Sequence, residues 1–114
     1  MVKLYDLSAV EALCGGDQEF LKTMAKMFVD TMPQSITEIQ EAVAEENWEA
    51  VGKHAHKMKS TIDSMGINSL KDDIRAVEMN GKSKTNPDTI RSLVEKAALV
   101  LNECVAQIKN DYAL

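Results

Sequence analysis

Aromatic residues are scarce in this chain, 4% in all, with one Trp, two Tyr and two Phe. Pleated sheets draw on aromatic and β-branched side chains, so the shortage argues against a β-rich fold. The two cysteines, Cys14 and Cys104, stand far apart and outside any CxxC spacing, which excludes a metal or redox centre built on that motif. No apolar run approaches the ~20 residues of a membrane span. The opening MVKLYDLSAVEA has no secretory hydrophobic region. A Gly-rich nucleotide-binding motif is absent, and ATP hydrolysis and autophosphorylation are discarded with it. Positive charge is in the minority. At a net charge of -5 the chain as a whole is repelled by phosphate backbones and by anionic lipid. These absences leave no nucleic acid and no membrane among the expected partners, and they place the chain in the cytoplasm with reduced thiols.

What is abundant is the palette of helices: Leu, Ala, Met, Glu and Lys. The 114 residues fit a single domain, 1–114, without repeat, linker or low-complexity segment. Asp6 is placed to cap a short helix over 7–13, ended by Gly15 and Gly16. Asp17 caps a long pattern in which Phe20, Leu21, Met24, Phe28, Met32, Ile36, Ile39 and Val43 recur at three- and four-residue intervals. Pro33 removes a backbone donor midway, and a kinked, nearly continuous helix to about Glu46 is expected. Asn47 opens the next, with Trp48, Val51, Ala55, Met58, Ile62 and Met65 on its buried side and Gly66 at its end. Ile67, Leu70, Ile74 and Val77 mark a further helix, closed by Asn80 and Gly81. After a polar loop over 82–86, Pro87 starts the last one, whose core positions are Ile90, Val94, Ala97, Leu101, Cys104 and Ile108. Short connections between four main helices predict an all-α fold, an antiparallel up-and-down four-helix bundle with a short additional N-terminal helix as a lid.

Both histidines fall in one stretch, GKHAHKMKSTIDSMG at 52–66. At about 100° per residue, His56 lies about 130° from the centre of the apolar stripe and His54 about 70° from it on the other flank. The two side chains diverge by about 160°, which makes them a poor joint metal site, since chelation from one helix needs i and i+4 spacing. Lys59 projects about 60° from His56, and Ser60 and Asp63 fall within about 40° of it. An exposed neutral imidazole is nucleophilic, and a lysine one turn away can pair with an anion placed on its ring nitrogen. Periodicity alone leaves two readings open, a solvated polar face or a nucleophile with its cation.

The string Ala55, His56, Lys57, Met58, Lys59, Ser60, with Gly66 ten residues after His56 and Leu70 four residues later, resembles the signature of histidine-containing phosphotransfer (HPt) domains. The likeness extends to the run from Gly15 to Phe20, to Met27, Phe28 and Pro33, and to Trp48. The wider motif favours His56 over His54. Lys57 gives His54 an HxxK of its own, but the bulky Met58 and Ser64 then occupy the positions where the family keeps a small residue and Gly. Most members carry Gly where this chain has Ser60, a departure that keeps the position small. Lys57, directly after His56, is also unlike the acidic residue expected in the phosphoacceptor helix of a sensor kinase.

The resemblance implies a phosphorelay intermediate of two-component signalling, a phosphocarrier and not an enzyme. In that reading His56 accepts a phosphoryl group from a receiver-domain aspartyl phosphate and passes it to another receiver, with Lys59 stabilising the phosphoryl group. Docking falls to Lys53, Lys57, Ser60, Asp63 and parts of the first two helices. Lys53, Lys57 and Lys59 form a small basic zone able to steer an acidic receiver pocket. Glu78 aligns with a family position that orients the histidine, and is equally readable as a solvated carboxylate. Gly66 is structural. The chain itself carries no cofactor and no metal, the divalent ion being expected on the receiver. The expected partners are response-regulator receiver domains and a hybrid sensor histidine kinase, and the chain is expected to be a monomer. A start at Met followed by a complete bundle reads as a free-standing protein, with an excised domain left open. The alternative function is a degenerate HPt-like bundle that serves only as a protein-interaction module.

Overall fold

Two capping side chains start the helix that carries the chemistry-bearing stretch and the long helix before it. Asp17 accepts hydrogen bonds from the backbone N–H groups of Glu19 and Phe20 and opens α2, Gln18–Ala44. Asn47 accepts from the N–H of Ala50 and opens α3, Trp48–Ser64. Ahead of both lies α1, Ser8–Cys14, closed by Gly15 at φ 63°. A 3₁₀ turn over Asn68–Leu70 leads into α4, Lys71–Ser83, and α5, Pro87–Asp111, has its proline in the first turn. The computed structural model describes residues 3–114, and no strand occurs among them.

Packing closes a ring: α2 lies against α3, α3 against α4, α4 against α5, and α5 against α2. The apolar stripes meet inside it. Leu21, Ile62, Leu70, Ile74, Ile90, Leu101 and Ile108 are all almost wholly removed from water. Burying such side chains contributes roughly 1.5–3 kcal/mol each, and this offsets the backbone entropy lost in ordering long helices. The 27 residues of α2, at about 1.5 Å of rise each, account for the molecule's 42 Å long dimension. Pro33 sits within α2 at an exposed position, and the helix runs on through it.

The segment ahead of α1 straps across one end of the bundle. Tyr5 is buried, and its hydroxyl donates to the carboxylate of Asp111 on α5. The Leu4 N–H donates to Gln107 Oε1 at 2.9 Å, and the Asp6 N–H to the Met65 carbonyl at 3.0 Å. Gly66 lies beneath this strap at φ 62°.

Three expectations need correction. Phe20, assigned to the buried stripe of α2, is 45% exposed, because it lies about 100–120° around the helix from the centre of the face that Leu21, Ala25, Phe28, Met32 and Ile36 turn inward. Asn80 and Gly81 do not end α4: both are buried inside it and the helix runs on to Ser83, so Lys82 is helical and the loop begins two residues later. Gly81 is tolerated there because α4 touches α3 at that point, a tertiary reason that local propensity does not carry. Asp6 accepts from the N–H of Ser8, while the residue at the helix boundary is Leu7.

Candidate functional site

On α3 the buried side is Val51, Gly52, Ala55, Met58 and Ile62. That leaves His56 on the outer side, its side chain 60% exposed, and His54 half-buried at the edge of the core. Beneath His56 runs α4, whose Glu78 is buried although it is charged. A buried carboxylate must be paired to persist, and Glu78 is paired three times. His56 Nδ1 lies 2.6 Å from Glu78 Oε2. Lys59 Nζ donates to Oε1 and Lys82 Nζ to Oε2, each at 2.9 Å.

These three hydrogen bonds, from Lys59, Lys82 and His56 in that order of weight, hold the Glu78 carboxyl down from its ordinary 4.5 to about 2. At neutral pH it is therefore ionised and can only accept. The proton of the neutral His56 ring then belongs on Nδ1, and Nε2 carries the lone pair. Nε2 has no hydrogen-bond partner among the described residues. Two lysines around one carboxylate leave the cluster net positive at the foot of that ring.

Acid should undo the arrangement. The folded-state pKa of Glu78 lies below its unfolded value, so the stability it supplies is complete above about 4.5 and is lost as pH falls through about 2. With Lys82 and His56 largely in water, that contribution is roughly 1 kcal/mol. Acid titrations of the wild type and Glu78→Gln, followed by circular dichroism, should show the wild type losing its advantage across that interval.

The remaining sequence-derived residues divide around this cluster. Glu78, readable from the sequence either as a residue that orients the histidine or as a solvated carboxylate, is buried under His56. Lys59, expected to pair with the phosphoryl group, is only 29% exposed and already engaged with Glu78. Asp63 is held by Arg75 of α4 through a two-pronged pair at 3.1 and 2.6 Å, which keeps its carboxyl below the usual range. Ser60 is exposed and turns its hydroxyl to the Lys57 carbonyl at 3.4 Å. Lys53 pairs loosely with Glu49 at 3.5 Å, and Lys57 is exposed. A Cβ on Gly66 would lie 2.1 Å from the Asp6 carbonyl oxygen. Lys82 is the residue that sequence reading missed. Its four-residue spacing from Glu78 was the available signal, obscured by assigning it to a loop.

Among the described residues no group of three or more His, Cys, Asp or Glu is arranged to hold a metal ion, and no helix is long and apolar enough to cross a membrane. The molecule is thus an all-helical module with an exposed imidazole set on a buried, cation-ringed carboxylate. The family model described as Hpt domain matches residues 23–111, most of the chain. The chain belongs to the Hpt domain family, whose members are phosphocarrier modules of two-component signalling that work with response-regulator receiver domains and histidine kinases. Neither a curated protein nor a solved structure matches it at a significant level.

Proposed function

We propose that His56 is the phosphoacceptor of a phosphorelay, taking a phosphoryl group from the aspartyl phosphate of one receiver domain and passing it to another. The observation that carries this reading is the 2.6 Å contact between His56 Nδ1 and an ionised Glu78, which leaves Nε2 as the nucleophile. In the forward step the Nε2–P bond forms as the P–O bond to the receiver's aspartate breaks, and the electron pair leaves with that carboxylate. The ring becomes cationic while Nδ1 keeps its proton, and Glu78 balances the charge. The return step reverses these bonds. The divalent ion that shields the phosphoryl oxygens belongs to the receiver, so this chain supplies the nucleophile, its orientation and a positive surround.

Lys59 and Lys82 make Glu78 compatible with a phosphate above it. Alone, the carboxylate would repel the incoming group; with both lysines the field is attractive. Lys59→Ala should slow transfer by about tenfold or somewhat more, the low end of the ~1.5–3 kcal/mol of a charge-assisted hydrogen bond, with an unchanged helical spectrum. Lys82→Ala should act in the same direction but more weakly, since its side chain is 59% exposed and better screened. Stopped-time transfer assays with one receiver rank the two.

Docking is assigned to Lys53, Lys57, Ser60 and Asp63 with parts of α1 and α2. The bundle is read as up-and-down and antiparallel, because the connections between ring neighbours are short. A monomer in the cytoplasm completes the reading. The test is incubation with a panel of phosphorylated receiver domains: acid-labile, alkali-stable phosphate should appear on the chain. Binding without labelling by any of them would make it an interaction module instead.

A further inference from the structure

The two-helix character of the site raises the question of what sets the distance between α3 and α4. Gly52 on α3 and Gly81 on α4 are both buried and meet backbone to backbone. A Cβ placed on Gly81 would lie 2.7 Å from the Gly52 nitrogen, 2.9 Å from its Cα and 2.9 Å from the Trp48 carbonyl oxygen. One on Gly52 would lie 3.0 Å from the Lys82 nitrogen and 3.3 Å from both the Glu78 carbonyl oxygen and the Gly81 carbonyl carbon. None of these atoms belongs to a side chain that can swing aside. Ordinary contacts of this kind begin at 3.4 Å, so any side chain at either position forces the helices apart by tenths of an ångström.

The contact is adjacent to the site on both helices. Gly52 is one turn before His56, and Gly81 lies between Glu78 and Lys82. Two of the three bonds to Glu78, those from His56 and Lys59, cross the gap that the glycines set. Neither glycine has φ in the left-handed region, so backbone conformation does not explain their presence. Each also lowers helix propensity by about 1 kcal/mol relative to Ala, a cost that close approach accounts for.

We infer that Gly52 and Gly81 are positioning residues for phosphoryl transfer: their contact holds α4 close enough for Glu78 to fix the His56 ring in its Nδ1–H form. This rests on the reading of His56 as phosphoacceptor, but its most direct readout does not. In ¹⁵N spectra of the imidazole the wild type should show the Nδ1–H form fixed at His56. Gly52→Ala and Gly81→Ala should shift the ring toward the mixed tautomers of a free histidine, with Gly81→Ala the stronger. Transfer should fall about tenfold in each, inside the ~100-fold that a ~1 Å misplacement can bring. In a Glu78→Ala background, adding Gly52→Ala should lower transfer no further.

Should Gly81→Ala fail to fold, as its 2.7 Å contact permits, the milder Gly52→Ala carries the test. A folded Gly52→Ala with the wild-type tautomer and wild-type transfer overturns the inference. So does an undiminished additional loss in the Glu78→Ala background. A wild type that accepts no phosphate sinks the functional reading alone, because the tautomer spectra still decide the role of the glycines.

Discussion

His56→Gln should abolish acid-labile labelling from every receiver that labels the wild type, while the helical spectrum and Tm stay near their wild-type values. The separation of chemistry from folding follows from where the side chain sits. It is 60% exposed, and its one hydrogen bond runs to Glu78, which keeps both Lys59 and Lys82 when the ring is lost. Exposed substitutions change stability by about 0.5 kcal/mol or less, and losing one of the three bonds to Glu78 adds only a part of the roughly 1 kcal/mol the cluster contributes. Glutamine cannot replace the nucleophile, because its amide nitrogen has no free lone pair to attack phosphorus. His54→Gln is the control and should retain the label, since that ring is half-buried and set about 160° around the helix from His56. Retained label in His56→Gln would remove the residue from the centre of the account.

The largest effect on folding should come from Gly66→Ala. Its φ of 62° already costs an L-residue roughly 1–2 kcal/mol. The new Cβ would also lie 2.1 Å from the Asp6 carbonyl oxygen, a separation that the strap over the bundle end must relieve by moving. Moving it breaks the bond from the Asp6 N–H to Met65 and loosens buried Tyr5 and Leu7. A destabilisation of roughly 3 kcal/mol or more is expected, which lowers Tm by about 12 °C or more. Gly15→Ala separates the two causes: its φ is 63°, but nothing lies within 4 Å of the added Cβ, so only the conformational part should appear. Equal losses in the two variants, measured by thermal denaturation, would show that the strap does not resist displacement.

The helices were legible because periodicity and caps are local. Asp17 and Asn47 start α2 and α3 where their side chains make them good caps, and the stripe from Val51 to Met65 faces inward as its spacing requires. The family resemblance, read from the residues around His56, is borne out by the match over 23–111. What the sequence concealed is set by contact between helices. Gly81 reads as a stop signal, yet it lies inside α4 because Gly52 needs the space. That misreading moved Lys82 into a loop and hid the second lysine of the cluster. Glu78 aligns with a family position that orients the histidine, but from the residues alone it is equally readable as a solvated carboxylate on a charged helix. Its burial, its low pKa and its bond to His56 arise only when α3 brings Lys59 and the imidazole over it. Phe20 failed for a different reason: it keeps four-residue spacing with Met24 and Phe28 but lies about 100–120° around the helix from the centre of the inward face.

The central claim is that Glu78 holds the proton on Nδ1 of His56 and so directs phosphate to Nε2. Phosphorylating the ¹⁵N-labelled chain with a receiver and recording ¹⁵N and ³¹P correlations on the imidazole tests it directly. The account predicts one phosphohistidine, at His56, with phosphorus coupled to Nε2 and Nδ1 still protonated. Phosphorus on Nδ1, or on His54, would contradict it.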